Sequence, residues 1–427
     1  MSDWRLVTRS LELAPQLTGN DLRAAAWLAT IVVIALLFHG LGAPLDFDEH
    51  YHLAAIEKIL AEFPSVDLLH TPAATPVLYH LIVAGTAPLA ANAVAAARIT
   101  SAVMSVVALW GIYWLASRKL VLKYPLWTTV LIALHPAFLW HSGLIMTELP
   151  SLCWAVLGLV CLTTIGSPHW AAISSGVCVS AAIWTRQTWV LLPAALLITA
   201  WRNFRRDRVL NGPLIIAGCS GLLAAAGLFL LWKGFSPPGE YASTHGPTLN
   251  LFQPFLGLAL VGLYLPMLAL SWWPGKRVIV YAAVTAALAP LPGTSPIHTY
   301  LSGATLENPQ GALQGILNLT ATRLSPQLAA ALLIVLVGIG TIGLARIVRV
   351  AKGAPGAAFS LLCLAVLAVE LLVIPQNWER YWSAAVPMIV LPSMVAMERK
   401  PSSGAALVAQ YAYLVALSVA YFLYQLF

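Results

Sequence analysis

The chain of 427 residues is 60% hydrophobic and 9% charged, with a mean hydropathy of +0.83. This excludes a water-soluble globule, in which about a quarter of residues carry charge. The net charge of +7 does not signal nucleic acid, because the basic residues fall in short groups between apolar runs, as membrane orientation requires.

Residues 1–23 are polar and precede an apolar run without a small-residue cleavage site, which reads as a retained signal anchor. Runs of spanning character follow at 24–42, 97–117, 124–142, 148–165, 169–185, 188–201, 211–232, 249–271, 277–291, 326–345, 354–374, 381–397 and 403–425. The expected fold is therefore an all-α polytopic membrane protein of about 13 transmembrane helices, one integral domain over residues 1–427. Five cysteines (Cys153, Cys161, Cys178, Cys219 and Cys363) stand singly in these runs, without zinc or disulfide spacing.

Residues 76–92 decide the topology. If they crossed the bilayer, the groups Arg118/Lys119/Lys123, Arg202/Arg205/Arg206/Arg208, Lys276/Arg277, Arg346/Arg349/Lys352 and Arg399/Lys400 would all face outward, against the positive-inside rule. Laid along the outer interface, 76–92 lets 17 of the 23 basic residues face inward, and 11 of the 16 acids lie outside or in spans. The N-terminus is then inside, and the longer outer segments are 43–96, 233–248 and 292–325. In the first of these, Leu53, Ile56, Ile59, Leu60 and Phe63 recur at helical spacing opposite Glu57, Lys58 and Glu62, which predicts a helix lying on the membrane surface. Asp48 and His52, four apart, share one side of it.

Three carboxylates crowd into Asp46-Phe47-Asp48-Glu49 directly after the first span, where mutual repulsion and nearby hydrocarbon demand a partner or a task. With His50, His70, His141, Glu148, Arg186, Lys233, His245, Glu379 and Arg380 they gather bases and cations on the outer side. A transferase using a lipid-linked phosphosugar needs this combination: a base for the acceptor hydroxyl and cations for the departing phosphate. Structural readings stand beside it: Asp46 or Asp48 as a helix cap, Glu148 as a helix-start acid, and Arg186 as a snorkelling side chain. Asp46-Phe47-Asp48 also spells a D-x-D pattern, but nucleotide sugars are made on the inner side, so no metal is assigned.

Several short motifs occur in order: Asp48-Glu49-His50-Tyr51-His52, Thr75-Pro76-Val77-Leu78-Tyr79, Thr147-Glu148, Arg186-Gln187-Thr188 and Arg380-Tyr381. In this the chain resembles the GT-C superfamily of polyprenyl-phosphosugar-dependent glycosyltransferases, most closely the alpha-1,2-glucosyltransferases that add the terminal glucose to the lipid-linked N-glycan precursor. That family's G-D-[KR]-S-S-H segment is only echoed by Gly239 to His245, without the basic residue, and its basic, aromatic loop has no counterpart in 292–325. The resemblance implies a GT-C-like bundle and an inverting transfer of a hexose, glucose by this likeness, from a polyprenyl phosphate to a glycan or lipid-linked acceptor at the outer face. It implies Asp48 as general base with Glu49 second, and His52 orienting or sharing the proton. Glu148 would shape the acceptor site, Arg186 and Arg380 would hold phosphate with Lys233 a weaker candidate, and Gln187, Tyr381 and His245 would complete the substrate site. No cofactor is expected. High alanine content and short loops point to a bacterial inner membrane. The rival readings are a transporter or lipid flippase, and a mannosyl- or aminoarabinosyl-type transferase of the same superfamily.

Overall fold

The structure, a computed structural model, describes residues 18–39, 44–45, 47–65, 67, 70–234, 237–238, 249–272, 274–304, 311–374, 382–399 and 404–426. Among these residues the regular structure is helical, with no strand. Among the described residues four helices are long and apolar enough to cross a membrane: Gly19–Leu37, Ala93–Arg118, Gly212–Trp232 and Pro326–Ala351. Of the other apolar helices Gly404–Leu426 runs for 23 residues, and among the described residues two of the 13 expected runs break into separate α-helices. Run 124–142 breaks into Pro125–Ala133 and Pro136–His141, and run 249–271 into Gln253–Tyr264 and Pro266–Leu270. In both cases a proline, lacking an N–H and clashing with the preceding turn, starts a new helix.

The chain divides into two compact units, the first formed by Met1–Lys119 and His141–His245, the second by Leu120–Trp140 and Gly246–Phe427. In the first unit the span Ala93–Arg118 is capped by Asn92, whose Oδ1 accepts the Ala95 N–H at 2.8 Å. It therefore starts four residues before the expected 97, which brings Arg98 into its second turn. A helix forms in the expected stretch, as Phe47–Glu62. Only part of its apolar side packs on protein: Ile56 and Ile59 join Tyr79, Val83, Ala96, Ala97 and Ile145 in a buried cluster, while Leu60 and Phe63 are exposed.

Residues 78–89 form the nine-residue helix Leu78–Thr86 and one 3-10 turn. At about 1.5 Å per residue this is far short of a ~30 Å hydrocarbon core. Helices Pro168–Thr185, Leu191–Asp207 and Gly212–Trp232 approach closely through glycines: a Cβ on Gly221 would lie 2.7 Å from Val179 and 2.8 Å from Pro193.

In the second unit the break at Pro266 is repaired by side chains. Buried Gln410 accepts the Met267 N–H at 3.2 Å and donates to the Tyr264 carbonyl at 2.8 Å. Arg346, expected in an inner loop, is instead a buried residue of helix Pro326–Ala351, donating to the Leu268 carbonyl at 2.8 Å and to Ser271 Oγ at 2.7 Å. The reason is supply and demand: a broken apolar helix exposes carbonyls that need donors, and a guanidinium has five. Within the expected outer segment 292–325, helices Pro296–Leu301 and Ala312–Arg323 are joined by Tyr300 donating to Asn318 at 2.9 Å.

Candidate functional site

The first unit carries two buried ion pairs. Glu49, in the first turn of Phe47–Glu62, is fully buried and grips Arg98 with both oxygens, at 2.8 Å to Nη2 and 3.2 Å to Nε. Its Oε1 also accepts the Ile145 N–H at 2.8 Å, and Arg98 reaches the Pro44 carbonyl at 3.3 Å. One carboxylate thereby ties the surface helix, the second span and the loop leading to Thr147-Glu148. The sequence grouped Glu49 with Asp48 as a base, but its oxygens are already occupied, so its geometry is that of a positioning residue. Asp48, half-buried in the same turn, is the more accessible of the two.

In the second pair Glu148 Oε1 lies 3.0 Å from Arg186 Nη1, which also donates to Thr147 Oγ1 at 3.0 Å. Arg186 caps helix Pro168–Thr185 in an extended conformation (φ −155°), before the 3-10 turn Gln187–Val190. This kink aims Gln187 and Trp189 differently: Gln187 donates to the Ala74 carbonyl at 3.1 Å, and Trp189 donates to Ser151 at 2.8 Å. These bonds bring Ala74, Thr147-Glu148 and Arg186-Gln187 together.

A third element was missed by sequence reasoning. His52 Nδ1 and His80 Nε2 are 3.0 Å apart, their rings stacked with centroids at 5.2 Å, and both side chains are buried. Burial pushes the His80 imidazole down to about 4. Burial, with His80 and Arg186 nearby, holds His52 well below the usual histidine range. Beside them Tyr79 shares a hydrogen bond of 2.9 Å with Ser101 and donates to the Ala97 carbonyl at 3.2 Å. The signal for His80 was its place directly after the Thr75-to-Tyr79 motif. The signal for Arg98 was a charge inside an apolar run, which requires a partner.

The pair has a measurable consequence. Both rings are neutral in the fold, whereas in the unfolded chain they titrate near 6.5. Unfolding therefore takes up protons below that value. Stability of this unit is expected to be full above about pH 6.5 and to decline as pH falls toward about 4. Thermal unfolding in lipid nanodiscs from pH 7.5 to 4.5 reads this out, and His80→Phe is expected to flatten part of the acid-side slope. A wild-type profile level over that interval would contradict a buried neutral pair.

Among the described residues, Lys233 and His70 are not brought in. Lys233 is exposed at the C-terminal end of Gly212–Trp232, and His70 is exposed on Asp67 at 2.8 Å. Asp46, His245, Arg380 and Tyr381 lie outside the described residues. Among the described residues no cluster of three or more His, Cys, Asp or Glu is arranged to hold a metal.

Fold and composition together define an all-helical, multi-pass membrane protein. No protein-family model matches the chain, and no curated protein matches it. Similar solved structures include ArnT from Cupriavidus metallidurans bound to undecaprenyl phosphate, at 12% identity and a TM-score of 0.44, over 95% of this chain and 78% of that one. The Archaeoglobus fulgidus oligosaccharyltransferase tethered with an acceptor peptide matches at 12% identity and a TM-score of 0.39, over 88% of this chain and 55% of that one. Arabinosyltransferase EmbB from Mycobacterium smegmatis matches at 14% identity and a TM-score of 0.38, over 98% of this chain and 43% of that one. At these scores the similarities assign no family.

Proposed function

We propose that the chain is a GT-C-type glycosyltransferase, one integral domain that moves a hexose, glucose by motif resemblance, from a polyprenyl phosphate to a glycan or lipid-linked acceptor. The observation that carries this reading is the half-buried Asp48 standing one residue from a fully engaged Glu49 and one helical turn from His52. An accessible carboxylate held on a rigid frame is what a general base needs. In the reaction the acceptor hydroxyl oxygen bonds to the anomeric carbon and its proton goes to Asp48. The carbon–oxygen bond to phosphate breaks on the opposite face, inverting the centre and releasing polyprenyl phosphate. The phosphate leaves as a stable anion, so this scheme needs no metal and no strong general acid.

His52 orients or relays the proton, while Glu148, Arg186 and Gln187 bind substrate. Arg186 and Arg380 hold the donor's phosphate, with Lys233 a weaker candidate, and Tyr381 and His245 complete the substrate site. The basic-residue pattern supports a site on the outer face and the N-terminus inside, and the alanine content and short loops support a bacterial inner membrane.

The test uses purified full-length protein in nanodiscs with polyprenyl-phosphohexoses and a glycolipid fraction, with products read by mass spectrometry. A hexose added to an acceptor is expected, and Asp48→Asn is expected to lower turnover about 10²–10⁴-fold at unchanged abundance. No product from any polyprenyl-phosphohexose, or full activity of Asp48→Asn, would refute the assignment.

A further inference from the structure

Around the Glu148–Arg186 pair, several polar atoms are buried with no hydrogen-bond partner: Glu148 Oε2, Gln187 Oε1, Thr75 Oγ1 and Thr185 Oγ1. They belong to one neighbourhood. Glu148 and Thr185 flank or touch Arg186, and Gln187 is bonded at Ala74, next to Thr75. Buried polar groups ordinarily find partners, so a cluster of orphans in one place marks a position that another molecule completes.

The chemistry of the orphans names the missing partner. Glu148 Oε2 and Gln187 Oε1 accept only, and the Gln187 amide nitrogen donates to the Ala74 carbonyl. The threonine hydroxyls accept or donate. Such a set calls for donors. A phosphate offers oxygens that accept, and would meet a carboxylate oxygen whose partner Arg186 is already neutralised by the other oxygen of the same carboxylate. A sugar ring offers several hydroxyl donors and no charge.

We infer that Thr75, Glu148 and Gln187 form a subsite for the hydroxyl groups of a sugar ring, with Arg186 serving to fix Glu148 instead of clamping phosphate. The inference rests on the transferase reading for the idea that a sugar visits the protein, and it changes the role expected for Arg186.

The experiment separates the two. Full-length protein in nanodiscs free of glycosidic detergent is titrated with methyl hexosides (glucoside, galactoside and mannoside) and with methyl phosphate, and binding is followed by saturation-transfer NMR. At least one methyl hexoside is expected to bind without displacement by methyl phosphate. Glu148→Gln and Gln187→Ala are each expected to weaken it 10-fold or more. The near-isosteric Thr75→Val is expected to weaken it several-fold while leaving the ion pair intact. Methyl phosphate is expected to bind better to Glu148→Gln than to wild type, because the guanidinium is then uncompensated. Displacement of the hexoside by methyl phosphate, absence of hexoside binding, or undiminished hexoside affinity in a folded Gln187→Ala or Thr75→Val variant would each overturn the subsite. Hexoside binding with these losses but no transfer would sink the transferase reading alone. Transfer with undiminished hexoside affinity would sink the subsite alone.

Discussion

Glu49→Ala and Arg98→Ala, made singly, are each expected to lose about 3–5 kcal/mol of stability, the cost of leaving one member of a buried ion pair without its partner. Against a typical reserve of about 5–15 kcal/mol, that moves the protein to the edge of folding. The pair is almost wholly buried, at 0% and 1% exposure, and Glu49 also holds the Ile145 N–H, so water cannot replace the lost contact. The joint replacement Glu49→Leu with Arg98→Met removes both charges and fills similar volume. It is expected to recover most of the loss, leaving mainly the orphaned Ile145 amide, about 1–3 kcal/mol. Thermal unfolding and extracted yield of the two single variants and the double variant test this. Single variants that melt like wild type would show that the pair is not what joins the surface helix to the second span.

Replacing Gly340 by leucine is expected to be equally damaging, for a steric reason. Helices Gln253–Tyr264 and Pro326–Ala351 cross with backbone against backbone: a Cβ on Gly340 would collide with the Leu258 carbonyl oxygen, and one on Gly262 with that of Leu336. Neither neighbour is the tip of a flexible side chain, so the helices must separate along a contact whose burial would be lost. Overpacking of ordinary cores costs about 1–3 kcal/mol, and a collision with backbone lies at or beyond the upper end. Gly338→Ala is the control, since its Cβ would meet Ala286 at an ordinary 3.7 Å. It is expected to be neutral or to gain up to ~1 kcal/mol from helix propensity. Unfolding midpoints of Gly340→Leu, Gly340→Ala and Gly338→Ala order these costs, and a Gly340→Ala variant as stable as wild type would exclude the close crossing.

Much of the helical layout was legible without coordinates. Apolar runs mark helices because backbone groups facing hydrocarbon must bond within their own segment, and prolines mark where such runs start. The surface helix was readable from the spacing of Ile56 and Ile59. The breaks at Pro136 and Pro266 were less so, because an uninterrupted hydropathy run hides a proline whose loose ends are satisfied by a remote residue such as Gln410. The same applies to Arg346, which reads as an inner-loop charge until the carbonyl it serves is known.

At the candidate site the sequence by itself determined which groups are present and their order: an acid pair after the first span, Thr147-Glu148, and Arg186-Gln187 at a helix end. Only the tertiary structure decided how each is used. Asp48 and Glu49 are neighbours of equal chemistry, yet one meets Arg98, 49 residues away, and becomes a brace, while the other stays accessible. His52 likewise acquires His80, 28 residues further along the chain and on another helix. In a low-dielectric interior a charge or imidazole is governed by whatever lies within about 3–4 Å, and that distance is set by how helices cross, which no local pattern encodes.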